Sequence, residues 1–214
     1  MAFSELSRTR LLREEEKERL AIVDYLLIFL LIFMIANIVV QSYFIAPVKV
    51  EGNSMNVTLQ NGDWLYMSKT KEPEVGDVVV FARNKEVNYI KRIIALEGDS
   101  VRSVKGVLQI KKKGEDSWVN FDDEHAYYFR KPYGTYMGYN LKDIPEIKVG
   151  KGQMFVLGDN RWDSQDSRAI GLIDTDTILG IVPEWSIKHR DKYAGYLNFV
   201  EKINDWFAKI KKDK

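Results

Sequence analysis

Residues 77–82, DVVVFA, and 88–96, NYIKRIIAL, decide the fold class. Both runs are short and rich in β-branched and aromatic residues, and Gly76-Asp77 and Gly98-Asp99 supply turn chemistry at their ends. The same pattern recurs in DWLYM (63–67), VLQIKK (107–112), QMFVLG (153–158) and ILGIVP (178–183), with Asn-Gly, Gly-Asp and proline-containing turns between them. That spacing predicts a mostly β domain over residues 47–190, built from strongly coiled antiparallel sheet. Within it, residues 105–150 are polar, turn-laden and rich in tyrosine (Tyr127, Tyr128, Tyr133, Tyr136, Tyr139). They read as a small inserted β unit.

Upstream the pattern changes. From Tyr25 to Ile45 the chain reads YLLIFLLIFMIANIVVQSYFI without a charge. This reaches the ~20 residues that a helix needs to cross a bilayer core. A cleavable leader would have a shorter apolar stretch with a small-residue cleavage site soon after it, whereas APVKVEGNSM here runs directly into motif-bearing chain. A buried core helix is the alternative. Residues 25–46 are therefore expected to form a transmembrane anchor. Residues 1–24 interleave Arg8, Arg10, Arg13, Lys17 and Arg19 with Glu14, Glu15, Glu16 and Glu18, as a polar helix running into the span or a charged arm. Basic residues before the span outnumber those just after it, which places the N-terminus in the cytoplasm and residues 47–214 outside.

Downstream, residues 191–214 place Tyr196, Val200, Ile203, Phe207 and Ile210 at helical spacing, with lysines on the other face and at the end. This predicts an amphipathic helix. It would pack on the β domain or another subunit, or lie on an anionic membrane surface, as Trp206 and the lysines suggest.

Composition narrows the chemistry. The 214 residues carry 32 basic and 31 acidic side chains, a formal net charge of +1, which gives no sign of a nucleic-acid binder. Without cysteine, disulfides, thiol catalysis and cysteine-ligated metals are excluded. The two histidines, His125 and His189, sit in no recognisable ligand spacing. A serine nucleophile here needs a base other than histidine, and no cofactor or metal is expected.

Three polar patches with glycine adjoin β-like runs. The first is residues 50–59, VEGNSMNVTL, followed by Asn61-Gly62-Asp63; the second is 89–99, YIKRIIALEGD; the third is 157–168, LGDNRWDSQDSR. In this order after an N-terminal span, they closely resemble the serine box, lysine box and Gly-Asp-Asn-Arg…Ser-x-Asp-Ser-Arg box of bacterial type I signal peptidases. The resemblance covers the chain from residue 25 to about residue 185.

It implies that Ser54 attacks the scissile carbonyl and that Lys91 takes its proton. Ser164 would hydrogen-bond and orient the lysine amine, Asp166 and Arg168 would form a supporting ion pair, and Asp159 and Asn160 would shape the wall of the site. The chemistry is coherent, because a serine hydroxyl is a poor nucleophile without a positioned base. Lysine ordinarily titrates near 10.4, and desolvation lowers that value. Ile90, Ile93 and Ile94 supply apolar surroundings, and strand alternation sends Arg92 away from Lys91. Ser167, inside the third box, reads as a turn-capping hydroxyl.

Two positions depart from the family. Val57 stands where proline usually precedes the Thr-Leu pair, and Gly52 stands where many members carry a serine that helps hold the oxyanion. The oxyanion would then rest on the Ser54 backbone N–H, with a water as a further donor. Ser68-Lys69-Thr70-Lys71 fits the Ser-x-x-Lys pattern of penicillin-recognising enzymes but reads as the polar end of a strand. By resemblance, the substrates are signal peptides of exported preproteins, cut at the cytoplasmic membrane after small residues. An extended peptide would pair with strand edges near residues 50–54 and before Lys91. Trp64 and Tyr66 would either dip toward the bilayer lipid or pack in the core. Two other readings are a Ser–Lys self-cleaving regulator, for which residues 1–46 offer no DNA-binding segment, and a non-catalytic membrane-tethered β module.

Overall fold

The computed structural model describes residues 2–121, 125 and 143–212. It divides into two units, residues 1–44 and 45–214. The first is a continuous helix, α1 (Ala2–Tyr43), so the charged N-terminal residues run helically into the apolar run. Within it, Arg19–Tyr43 is long and apolar enough to cross a membrane, and none of its apolar window is buried against protein. An unburied helix of this length and composition is what hydrocarbon solvates and water does not.

The strands of the second unit all pair antiparallel, as the short strand-like runs predict. Seven strands form the larger sheet: β1 (Ile45–Lys49), β2 (Trp64–Ser68), β3 (Val78–Ala82), β4 (Asn88–Leu96), β9 (Gln153–Leu157), β10 (Ile173–Asp174) and β11 (Ile178–Val182), in the order β1-β2-β11-β3-β4-β9-β10. A four-stranded sheet contains β5 (Ser100–Val104), β6 (Val107–Lys111), β7 (Val119–Asn120) and β8 (Ile147–Lys148), in the order β7-β6-β5-β8. This small sheet starts at Ser100, earlier than the change in composition near residue 105 suggests. The reason is that β5, with Val101 fully buried, pairs with both β6 and β8. The five tyrosines between 127 and 139 lie outside the described residues.

β4 explains why both sheets share one core. Lys91 through Ala95 are all buried, so this strand has protein on both faces. Its ladder with β9 slips between Ile93 and Ala95, an irregularity of the kind that bends a strand and turns side chains to a new direction. Ile94 and Ala95 then pack with Val101, Leu108, Val149, Phe155 and Leu157 beneath the small sheet. Ile93 packs with Val79, Phe81, Met154, Val156 and Ile181 on the other side. A third cluster, of Val50, Met55, Leu59, Leu65, Val78, Val80 and Val182, supports the loop that follows β1.

A single helical turn, α2 (Ser167–Ile170), separates β9 from β10, and after β11 come two further helices, α3 (Glu184–Lys188) and α4 (Arg190–Lys212). They settle the position of the β2 aromatics. Tyr66 stacks on Trp185 with ring centroids 6.4 Å apart and meets Tyr193 edge-on at 5.2 Å, while Trp64 Nε1 donates to Asn198 Oδ1 at 2.8 Å. Trp64 and Tyr66 therefore pack under the C-terminal helices.

Phe155 is fully buried where the two sheets meet. Phe155→Ala should lower stability by about 3–5 kcal/mol in urea unfolding followed in detergent; a loss below about 1 kcal/mol would show that this junction is not a packed core.

Candidate active site

The serine loop leaves β1 at Lys49 and is pinned at its base by the backbone bonds Val50 N to Asp63 O and Gly62 N to Val50 O, 2.8 and 2.9 Å. Buried Met55 and Leu59 anchor its far side. Gly52 has φ +88°, a backbone region that disfavours any side chain, although a Cβ there would meet nothing within 4 Å. Backbone conformation rather than space therefore accounts for glycine at this position. Val57 is 60% exposed, so its side chain is outside the packed part of the loop.

Ser54 and Lys91, 37 residues apart in sequence, come together: Lys91 Nζ is 2.8 Å from Ser54 Oγ. The amine also donates to Ile90 O at 2.9 Å and lies 5.0 Å from the centre of the Tyr89 ring. The Tyr89 hydroxyl is in turn held by Gln165 Oε1 at 2.9 Å. Lys91 is only 4% exposed. Burial pushes its pKa down to about 8, although the carboxylates of Asp166 and Asp159 pull the other way. In the charged state the amine donates to Ser54 Oγ. Once neutral, it presents a lone pair to the serine proton across the same 2.8 Å.

The third box tightens around this pair. Asp159 is fully buried and accepts from Arg92 Nε at 2.8 Å, Arg92 Nη2 at 2.6 Å and Thr58 Oγ1 at 2.6 Å. One carboxylate thus joins the serine loop, the lysine strand and its own box. Asn160 does a related job from the backbone side: its N–H donates to Ser54 O at 3.0 Å and its Nδ2 to Asn53 O at 3.1 Å. Asp166 is also fully buried; it accepts from Gly158 N and, through two bonds of 2.8 and 2.7 Å, from Arg168. Burial alone would raise the Asp166 pKa, but the Arg168 hydrogen bonds and charge hold it below the ordinary carboxylate value. Arg168 also donates to Arg161 O at 2.7 Å.

Ser164 Oγ is buried beside the Asp166 carboxylate, where its interaction helps lower the Asp166 pKa, and the hydrogen bonds of the amine go to Ser54 and Ile90. It packs against Gly158, where an added Cβ would overlap Ser164 Oγ and come within 2.5 Å of Ser54 O. Glycine at 158 is what lets the third box approach the nucleophile's backbone. Ser167 Oγ accepts from Val156 N at 2.9 Å, a structural bond away from the amine. The Ser-x-x-Lys pattern at 68–71 ends β2: Ser68 Oγ accepts from Lys71 N, and Lys71 pairs with Asp77 at 2.6 Å.

Sequence reasoning places Arg92 on the far side of its strand from Lys91 but does not name Asp159 as its partner, and it misses Thr58, Tyr89 and Gly158. The signal available for Arg92 and Asp159 was a charged residue abutting an apolar strand-like run: Ile93-Ile94-Ala95-Leu96 follows Arg92, and Met154-Phe155-Val156-Leu157 precedes Gly158-Asp159.

An open groove of about 830 Å³ passes the pair, lined by residues from Pro47 to Met55, from Glu86 to Lys91, and by Asp163, Gln165 and Glu201. Strand edges flank it. β1 ends the seven-stranded sheet, and β9 pairs with β4 only from Arg92 onward, so β9 leaves Asn88–Lys91 uncovered. Beside Ser54 a smaller hollow of about 480 Å³ is walled by Asn53, Asn56, Val57, Gln60, Asn61 and Asn160.

The site thus sets a buried amine on a serine hydroxyl and frames them with two aspartate–arginine pairs, Asp159–Arg92 and Asp166–Arg168. The family model for signal peptidase, peptidase S26, matches residues 22–185. The chain belongs to that family. A signal peptidase IB of Staphylococcus aureus is 34% identical over 173 residues, covering 75% of this chain and 85% of its own. A signal peptidase I of Bacillus licheniformis is 33% identical over 159 residues, covering 71% and 81%. A crystal structure of a signal peptidase I from Enterococcus faecalis is 27% identical, with a TM-score of 0.38, covering 53% of this chain and 98% of that one. As a member of the signal peptidase family the chain is a membrane-bound serine peptidase that removes signal peptides, and neither the non-catalytic module nor the self-cleaving regulator is favoured.

Removing Arg92 leaves Asp159 buried with Thr58 as its remaining side-chain partner. Arg92→Met should cost about 3–5 kcal/mol in urea unfolding. It should also raise the Lys91 titration above about 8, because an uncompensated carboxylate favours the ammonium. An unchanged stability would mean that the Arg92–Asp159 pair does not hold the boxes together.

Proposed function

We propose that Ser54 is the nucleophile and Lys91 the general base for cleavage of signal peptides from exported preproteins. The observation that carries this reading is the 2.8 Å approach of a buried lysine amine to a serine hydroxyl. Neutral Lys91 takes the Ser54 proton as Oγ attacks the scissile carbonyl. The resulting ammonium returns that proton to the departing amine, leaving an acyl-enzyme. Lys91, neutral again, then activates the water that releases the signal peptide and restores Ser54.

The other residues position this pair. Asn160 holds the carbonyls of Asn53 and Ser54 and so aims the Ser54 N–H, the donor to which we assign the oxyanion. Asp159 with Arg92, and Asp166 with Arg168, fix the surrounding segments. Ser164 lies buried in the same packed shell beside Gly158 and the Asp166 carboxylate, a position that suits a role in steadying the amine as it changes charge.

An extended peptide would enter the groove and add to the open edges of β1 and of Asn88–Lys91. Its alternate side chains would face the sheet, where small residues fit shallow pockets. The surplus of basic residues before the span supports a cytoplasmic N-terminus and an extracytoplasmic catalytic unit. With α1 in the lipid of the cytoplasmic membrane, substrate and enzyme would share one two-dimensional surface.

Cleavage of a preprotein by the full chain in detergent tests the assignment. Ser54→Ala and Lys91→Met should each lower kcat/KM by at least about 10³-fold. The wild-type rate should climb with pH through an apparent pKa of about 8, because the base works only when neutral. Full activity in either variant would refute the pair.

A further inference from the structure

α4 has two apolar faces, and the β domain covers only one. Leu197 is 6% exposed, and Tyr193 packs against Tyr66 and Trp185. Polar contacts complete this inner face: Asn198 accepts from Trp64, and Glu201 pairs with Lys49 at 2.7 Å. On the outer side Tyr196, Phe199, Ile203 and Trp206 are 66%, 62%, 37% and 59% exposed. Their spacing of three, four and three residues aligns them in one stripe along the helix. Scattered apolar side chains are normal on a surface, but four large exposed ones in a row, three of them aromatic, make a contiguous patch of the kind that marks an interaction surface.

The flanking charges indicate which partner. Exposed Lys192 precedes Tyr196 by one turn and exposed Lys202 flanks the Phe199–Trp206 edge of the stripe, while exposed Lys209 shares the direction of Asp191, about 100° from the stripe's centre. Of the carboxylates on α4, Glu201 is engaged with Lys49, while helical spacing turns Asp191 and Asp205 about 100° or more from the centre of the stripe. Pairing with a second copy through this face would bring like-charged lysine rows together. An anionic bilayer surface complements the same arrangement, with aromatic rings at the headgroup boundary and lysines on the phosphates. The span-length helix of the same chain keeps such a surface close. α4 also lies beyond residues 22–185, the part of the chain that the peptidase family model matches.

We propose that α4 is an interfacial helix that docks on anionic lipid through Tyr196, Phe199, Ile203 and Trp206. Because Glu201 of the same helix lines the groove with Lys49, docking fixes one groove wall to the membrane surface.

The chain has no native cysteine, so single labels are clean. Phe199→Cys and Asp205→Cys, each carrying an environment-sensitive fluorophore, would be placed as full chains in nanodiscs of phosphatidylcholine alone or mixed with phosphatidylglycerol. In mixed discs the label at 199 should shift to shorter wavelength. Lipids carrying a nitroxide on the acyl chain should quench it at least about twofold more than the label at 205. Lys202→Glu with Lys209→Glu should remove most of that excess. Preserved cleavage of a short soluble peptide by every variant controls for misfolding. Equal quenching at the two sites would overturn the proposal. So would a blue shift at 199 that lipid nitroxides do not quench and that needs two copies per disc, because the stripe would then pair with another protein chain.

Discussion

A lysine amine withdrawn from water and set 2.8 Å from a serine hydroxyl is the constraint on which the rest of the structure depends. Lysine is a base only when it is neutral, and water strongly favours its charged form. The fold therefore has to surround Lys91 with protein on both faces of β4, and the run of buried residues from Lys91 to Ala95 does this. An ammonium in such a place costs stability at neutral pH, so the site trades stability for function.

The neighbouring charges make the balance sharper. Asp159 and Asp166 are fully buried, and each would hold a proton on Lys91 if left alone. Each is instead committed to an arginine, Arg92 or Arg168, by two hydrogen bonds. Paired this way, they tie loops together while most of their field is cancelled, and desolvation is left as the larger influence on the amine. Asp159 in particular holds Thr58, Arg92 and its own turn in one knot, which is why residues far apart in sequence meet with hydrogen-bond accuracy.

Much of this was legible in the chain before any coordinates. Period and turn residues predict antiparallel β structure, the uncharged run from Tyr25 to Ile45 predicts a helix of spanning length, and three boxes single out Ser54 and Lys91. Side-chain partners are what the patterns miss. Strand alternation directs Arg92 away from Lys91 without showing that Asp159 waits there. The family pattern links Ser164 to the amine, whereas the hydrogen bonds of the amine go to Ser54 and Ile90. In α4 the spacing of Tyr196, Val200 and Ile203 marks one apolar face, yet Tyr196 and Ile203 point outward, and the inner contact uses Tyr193, Leu197, Asn198 and Glu201. Hydropathy cannot see a face that docks through an indole–amide bond and an ion pair.

The most direct test of the neutral-base account is to titrate the amine itself. Full-length protein with isotopically labelled lysine, in detergent micelles, would give the Lys91 signal by NMR, assigned by its absence in Lys91→Met. The account predicts a midpoint at about 8. A midpoint at the ordinary lysine value of about 10.4 would contradict it, because the neutral fraction able to take the Ser54 proton at neutral pH would then be more than about a hundredfold smaller.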